Sequence, residues 1–212
     1  DTSIDASLLN ILDGNTTGII NASTVSTLVG NTSTLINTYA STGISGLGNE
    51  AVNVNSGESS VSSANILSEA TTGLVTATIS DGDMEKLVSL RGNNNAYTIS
   101  ISDDSVESSK LIELYEKTPA KINASKVGAL NGNSSDLNTL YSLSGIIGLG
   151  NEKIAVSDTS IDASLLNILD GNTTGEINAS TVTKLTGTES EINASISSDG
   201  ISDGGSESPL WL

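Results

Sequence analysis

The chain has 212 residues, 36% of them hydrophobic but only 2% aromatic, with no Phe and one Trp, so a core has to be assembled from Ile, Val, Leu and Ala in thin recurring layers. Eight basic against 25 acidic side chains give a net charge of −17, which leaves nothing to neutralise a polyanion and excludes nucleic acid and anionic membrane as main partners. With no Cys and no His, disulfides, thiolate nucleophiles, zinc centres and histidine proton relays are excluded, and most enzyme classes go with them.

Taken in chain order, Thr2-Ser3-Ile4-Asp5 has the form of a capping box with Thr at N-cap and Asp at N3, and predicts a helix stopped by Gly14 in the left-handed conformation. Asp1 falls inside a repeated segment and reads as a processing boundary, with any signal peptide upstream of it. Ile20-Asn21-Ala22 alternates apolar, polar, apolar, the period-two pattern of a short strand buried on one face. The same triplet recurs at Val52-Asn53-Val54, Val75-Thr76-Ala77, Ile99-Ser100-Ile101, Ile122-Asn123-Ala124, Ile154-Ala155-Val156 and Ile177-Asn178-Ala179. A further helix is expected over 32–39, before a Gly-Leu-Gly-Asn turn at 46–49. Over 159–162 the capping box returns, with Ile161, Leu165, Ile168 and Leu169 as one helical stripe and Gly171 as the stop. From about Ser195 the pattern gives way to Ser, Gly and Asp. Residues 1–195 therefore read as repeats and 196–212 as a tail whose Pro209-Leu210-Trp211-Leu212 end is unstructured or docks on a neighbour.

Residues 1–18 and 158–175 are identical, and 19–55 align without gaps on 121–157, a long period of 102. Within it the triplets are spaced by about 23 residues, or by 32 where a second helix is expected as an insertion. Fixed-period repeats are units that cannot bury their apolar face alone and stack on neighbours. About 23 residues leave no room for an antiparallel return, so the strands should be parallel with right-handed crossovers. The expected fold is α/β: a βα-solenoid of about seven short parallel strands with helices on one side, the alternative being a globular doubly wound sheet.

The phrases SDTSIDASLLNILDGNTTG, INASTVTKLTGTESEINAS and ISGLGNEAVNV resemble the tandem repeats of very large secreted bacterial surface proteins, common in marine bacteria and cyanobacteria. The resemblance covers about residues 1–195 and implies an extracellular or cell-surface location and a structural or adhesive role. Many such proteins end in glycine-rich calcium-binding nonapeptides, a motif absent from this sequence, so calcium dependence does not carry over with it.

No cofactor is required by any motif, but calcium is the best-supported ligand on chemical grounds, because hard cations take oxygen donors. Asp13-Gly14-Asn15-Thr16-Thr17-Gly18 and Asp170-Gly171-Asn172-Thr173-Thr174-Gly175 resemble the first half of a calcium loop, with Asp13, Asn15, Asp170 and Asn172 as candidate ligands, although position twelve is Thr24 or Thr181 instead of Glu. The competing reading is a helix C-terminus and its turn. Asp103-Asp104 and Asp81-Gly82-Asp83 are carboxylate pairs of the kind glycoside hydrolysis uses, but adjacent acids among Ser and Gly read as solvated turns, and no Ser-x-x-Lys motif stands out; the chain is expected not to be an enzyme. Asn21, Asn53, Thr76, Ser100, Asn123 and Asn178, at the triplet centres, would stack into an outward polar ladder. That ladder would bond within itself or face a second solenoid or carbohydrate; ice binding would need paired threonines, and the ladder is mixed. Asn-x-Ser/Thr triplets at Asn15, Asn21, Asn31, Asn123, Asn133, Asn172, Asn178 and Asn193 follow from composition, and few are expected to be modified. No basic residue precedes Lys86, so cations or salt should ease lateral association. The expected function is a structural segment of an extracellular surface, stalk or self-assembling fibre protein. Its expected partner is itself, by end-to-end stacking, with surface carbohydrate second; no apolar run approaches the roughly 20 residues that span a bilayer, and no membrane insertion is expected.

Overall fold

Short strands run directly into side chains that cap helices, and this sets the order of elements. In the computed structural model, which describes residues 2–93, 95–118 and 120–202, the chain runs β1 (Ser3–Asp5), α1 (Ala6–Asn15), β2 (Ile20–Asn21), β3 (Thr27–Asn31), α2 (Thr32–Ala40), β4 (Ile44–Ser45), β5 (Ala51–Ser56), α3 (Val61–Ala70), β6 (Val75–Thr78), α4 (Met84–Leu87) and β7 (Ala96–Ser100). It continues through β8 (Ser105–Glu107), α5 (Ser108–Lys117), β9 (Ile122–Asn123), β10 (Ala129–Gly132), α6 (Ser134–Ser142), β11 (Ile146–Ile147), β12 (Lys153–Val156), β13 (Ser160–Asp162), α7 (Ala163–Asn172), β14 (Ile177–Asn178), β15 (Lys184–Thr186), α8 (Glu189–Ser197) and β16 (Ile201–Ser202). Two compact units result, one holding residues up to Ser100 together with Leu114–Lys121, the other Ile101–Glu113 with residues from Ile122 on.

Asp5, Asn31, Ser60, Asp83, Asn133, Asp162 and Thr188 are N-caps, each accepting from a backbone N–H two or three residues on, donors that no helical bond satisfies. This corrects the expected boxes at Thr2 and Thr159. Asp5 and Asp162 are themselves the caps, and the residues before them are strand. Gly14 and Gly171 lie inside α1 and α7 and are not left-handed stops; the helices close instead on Thr16 and Thr173 in extended conformation. Positive φ does occur in the expected Gly-Leu-Gly-Asn turn, at Gly46 and Gly48, where a side chain would be strained.

In the first unit β1, β3, β5, β6 and β7 are neighbours in that order and parallel, and β2 pairs with β4. In the second, β8, β10, β12, β14 and β16 form a parallel sheet, β9 pairs with β11, and β13 with β15. All seven triplets place at least their first two residues on strands, and the pairing is parallel as expected, but the strands form several sheets and not one. Most helices are flanked by two short strands, one before and one after, and the sequence reading found only part of them. Ile20 lies opposite Ile44 and Leu28 opposite Val52, so Ile20 and Val52 hold different places in successive segments. The spacing of 32 between them holds the expected helix, α2, but no second one beside it; Gly46 takes the third position of the triplet at Ile44 and hides it.

The helices bury narrow stripes three residues apart: Val61, Ala64 and Leu67; Ser134, Leu137 and Leu140; Ala163, Leu166 and Leu169. The expected stripe through Leu165 and Ile168 is corrected accordingly. Because Asp162 is the cap, Ile161 belongs to β13, Leu165 is half-buried and Ile168 is 52% exposed. Order also extends past the expected boundary, since α8 ends at Ser197 and β16 pairs with β14. Asp1 and Pro209-Leu210-Trp211-Leu212 lie outside the described residues. Leu166→Ala is expected to cost about 2–5 kcal/mol in a urea titration, as a fully buried Leu does, whereas Ile168→Ala should stay within about 0.5 kcal/mol of the parent.

Candidate functional site

The side chains with recurring chemistry sit at helix ends. Several helices are followed by Ser/Thr-x-Gly, in which the hydroxyl accepts from the glycine N–H: Thr16 from Gly18, Ser41 from Gly43, Thr71 from Gly73 and Thr173 from Gly175, all at 3.0 Å, and Ser198 from Gly200 at 3.1 Å. Four of these hydroxyls also donate backwards along the chain. Thr71 and Thr173 reach the carbonyl oxygens of Glu50 and Glu152 at 2.6 and 2.7 Å, and Ser41 and Ser198 reach Oδ2 of Asp13 and Asp170 at 2.6 and 2.7 Å. A Cβ at Gly73 or Gly175 would overlap the Glu50 or Glu152 carbonyl, and one at Gly43 or Gly200 the Asp13 or Asp170 carboxylate. Glycine is required at 73 and 175, where the opposing atoms are backbone; at 43 and 200 the Asp side chain would have to move.

Glu50 and Glu152 are the most deeply buried acids described, 1% and 0% exposed. Each folds back over its own turn: Glu50 Oε2 accepts from Gly48 N (2.8 Å) and Asn49 N (3.1 Å), and Glu152 Oε2 from Gly150 N (2.7 Å) and Asn151 N (3.1 Å). The other oxygen accepts from a helix tyrosine, Tyr39 or Tyr141. Burial first, then the bond to the carboxylate and its charge, push both phenols well above their ordinary value. The sequence reading passed over this pair, although Tyr39 and Glu50 align on Tyr141 and Glu152 in the long repeat.

Helix also bonds to helix. Asn10 Nδ2 donates to Thr34 O and receives Thr38 Oγ1 on Oδ1; Asn167 does the same with Glu191 O and Ser195 Oγ. Asn138 Nδ2 donates to Leu165 O at 3.2 Å, but its Oδ1 has no partner among the described residues. Four residues beyond that acceptor stands Leu169, where the other two contacts have Thr38 or Ser195.

Of the carboxylates singled out from sequence, Asp13, Asp170, Asp81 and Asp83 accept hydrogen bonds within the fold. Asp13 and Asp170 lie in the last turns of α1 and α7, each holding the Ser-x-Gly turn just described, and Asn15 bonds back to Ile11 O. Asn172 is the exposed last residue of α7. Among the described residues no group of three or more acidic side chains stands together. Asp81 accepts from Val61 N at 2.8 Å and Lys86 Nζ at 3.0 Å, which together hold its carboxyl below the usual range, while Asp83 caps α4. The Asp104 carbonyl accepts from Gly128 N and Ala129 N.

The ladder residues are exposed or half-buried, and they stack in the expected order only in part. Asn53 is opposite Thr76, and Thr76 is opposite Ala96 instead of Ser100. Asn21 faces Ser45, Asn123 faces Ile147, and Asn178 faces Ala155 and Ser202. The strand-position shift between Ile20 and Val52, repeated between Ile122 and Ile154, accounts for Asn21 and Asn123. Asn21, Asn123 and Asn178 instead accept from the N–H of Ser23, Ser125 and Ser180 in Asx turns. In the second unit Asn131, Lys153, Glu176 and Asn178 line a shallow cleft of about 260 Å³ on the strand face.

No protein-family model matches the chain, no curated protein matches it, and no solved structure matches it. Among the described residues no helix is long and apolar enough to cross a membrane.

Tyr39→Phe or Tyr141→Phe leaves a buried carboxylate one donor short and should cost about 1–3 kcal/mol in denaturant titrations. Because the folded phenols titrate above the unfolded value of about 10, their contribution is fully present below that pH and is lost as pH rises beyond it. Stability of the parent should therefore fall above about pH 10, and the double Phe variant should lose most of that alkaline slope. Gly73→Ala should destabilise by roughly 1–3 kcal/mol or more through overpacking. Gly14→Ala, helical and with nothing within 4 Å of the added methyl, should stabilise by about 0.5–1 kcal/mol.

Proposed function

We propose that the chain is a βα-solenoid, helices on one side of short parallel strands, and serves as a structural, non-enzymatic segment of an extracellular surface, stalk or self-assembling fibre protein. The observation that carries this reading is the destination of the recurring polar groups. Asn10, Thr71, Thr173, Asp81 and Asp158 bond to backbone or side chains about 20 to 28 residues away, which is one βα segment along the chain. Side chains engaged in holding segment to segment do mechanical work, as stacked repeats require. A strand-edge contact between unlike ends does not close and so grows a filament. The resemblance of the repeats to secreted bacterial surface proteins supports the extracellular location.

The second reading is an adhesive module for carbohydrate or calcium. It is favoured by the polar cleft at Asn131, Lys153, Glu176 and Asn178, where amide, ammonium and carboxylate groups converge on an open face of the kind that hydroxyl-rich ligands use.

Light scattering against concentration, with calcium and with chelator, separates the two. Growth into long particles is expected, and a difference between the two conditions would assign bridging to the cation. A strict 21.5 kDa monomer in both would overturn the fibre, and saturable binding of a glycan by that monomer would establish the module.

A further inference from the structure

One sequence has two environments in this molecule. Residues 1–18 and 158–175 are identical, and on the side facing the following helix they make the same bonds, Asn10 to Thr34 O and Thr38, Asn167 to Glu191 O and Ser195. Their outward residues match as well, Ile11 and Ile168 being exposed alike. The difference lies along a third line, residues four apart in the sequence. Leu8 is 53% and Leu12 51% exposed, and Thr16 is exposed; at the matching places Leu165 is half-buried, Leu169 is fully buried and Thr173 is buried.

The covering element in the second case is known at both ends of that line. Asn138 on α6 donates to Leu165 O, and Thr173 and Thr174 grip the turn after β11 through Glu152 O (2.7 Å) and Gly150 O (2.9 Å from Thr174 N). The turn at 71–73 grips its own Gly-x-Gly-Asn-Glu stretch identically, through Glu50 O and Gly48 O. Thr16-Thr17-Gly18 has the same internal turn, Gly18 N on Thr16 Oγ1, and holds no such stretch among the described residues.

We propose that Leu8, Leu12 and Thr16-Thr17-Gly18 form a receiving face for one further βα segment of the kind at 133–157, a helix bearing the Asn138 and Tyr141 equivalents followed by a Gly-x-Gly-Asn-Glu turn. Both such turns in the chain, at 48–50 and 150–152, are already gripped, so a folded second copy has neither to offer. The occupant is a further segment of the same sequence pattern, supplied in addition to the two in this chain. The proposal rests on the segment-to-segment bonding in the reading above, not on growth of a filament from separate chains, and gives that stacking an address and a direction.

The test is the whole chain extended before Asp1 by another copy of residues 133–157, which recreates the natural Ser157-Asp158 junction as Ser-Asp1. Amide hydrogens of α1 should exchange at least tenfold more slowly than in the unextended chain, and Leu12→Ala, silent in the unextended chain, should then lower the melting temperature as Leu169→Ala does. Gly150→Val within the added copy, which breaks a positive-φ position, should abolish both effects. Unchanged α1 exchange in the extended chain overturns the proposal. So does self-association of the unextended chain that Leu12→Asp abolishes, since the occupant would then be a second copy. Failure of fibre growth in light scattering leaves the α1 result untouched, so the two readings fail separately.

Discussion

A buried backbone carbonyl must find a donor, and at Glu50 and Glu152 the donor is a hydroxyl 21 residues further on, Thr71 or Thr173. That bond requires the glycine two residues past the threonine, because the carbonyl sits where a Cβ would be. It also requires the turn that presents the carbonyl to be rigid, which the glutamate achieves by bonding its own turn amides and a helix tyrosine. Five residues of four types at fixed separations, Tyr, Gly, Glu, Thr and Gly, thus form one joint, present twice. Strand pairing then follows in register, since Val52 meets Val75 and Ile154 meets Ile177 immediately after each joint.

The same logic accounts for an acidic chain with almost no cations. A carboxylate is an acceptor only, and this backbone has many amides without a partner at helix starts and turns. Asp5, Asp83 and Asp162 cap helices, Asp81 and Asp158 reach the first amide of α3 and α6 in the preceding segment, and Asp13 and Asp170 hold Ser-x-Gly turns. Bonds to Ser7 and Ser164 hold Asp5 and Asp162 below the ordinary carboxylate range, so these acids stay ionised where they act. A composition that reads as a solvated surface is in large part an inventory of acceptors.

How far the sequence could be read depended on whether a signal was periodic or local. Parallel strands, seven strand positions and the Gly-Leu-Gly-Asn turn were legible because apolar alternation and exact repetition mark them. The strands before the helices were not: SID holds a single apolar residue, TLVGN buries only Leu28 and Gly30 and ALNG only Leu130, and each runs into a cap, so alternation has no length in which to show. Asp162 was placed one role away from its true one because an Asp three residues after a Thr satisfies the box pattern, while the strand before it outcompetes a helical start at Ser160. The tyrosine–glutamate joint was in plain view in the repeat. Composition hid it, since a lone Glu after Gly-Asn looks like a solvated turn until it is known to be buried.

Exact repetition carries a further physical consequence. A residue that is covered where a neighbouring helix packs on it lies exposed where none does, even in an identical sequence. Leu12 and Leu169 illustrate this: one residue type in one sequence, half exposed in α1 and fully buried in α7. Removing a Leu side chain from water is worth about 1.5–3 kcal/mol, several times what a rim polar contact returns. Stacking in such a chain is therefore driven by apolar burial and given its register by the carbonyl–hydroxyl joints. The joints alone, exchanging water for protein partners, would return too little to hold a segment in place, and the leucines alone would not fix which segment sits on which.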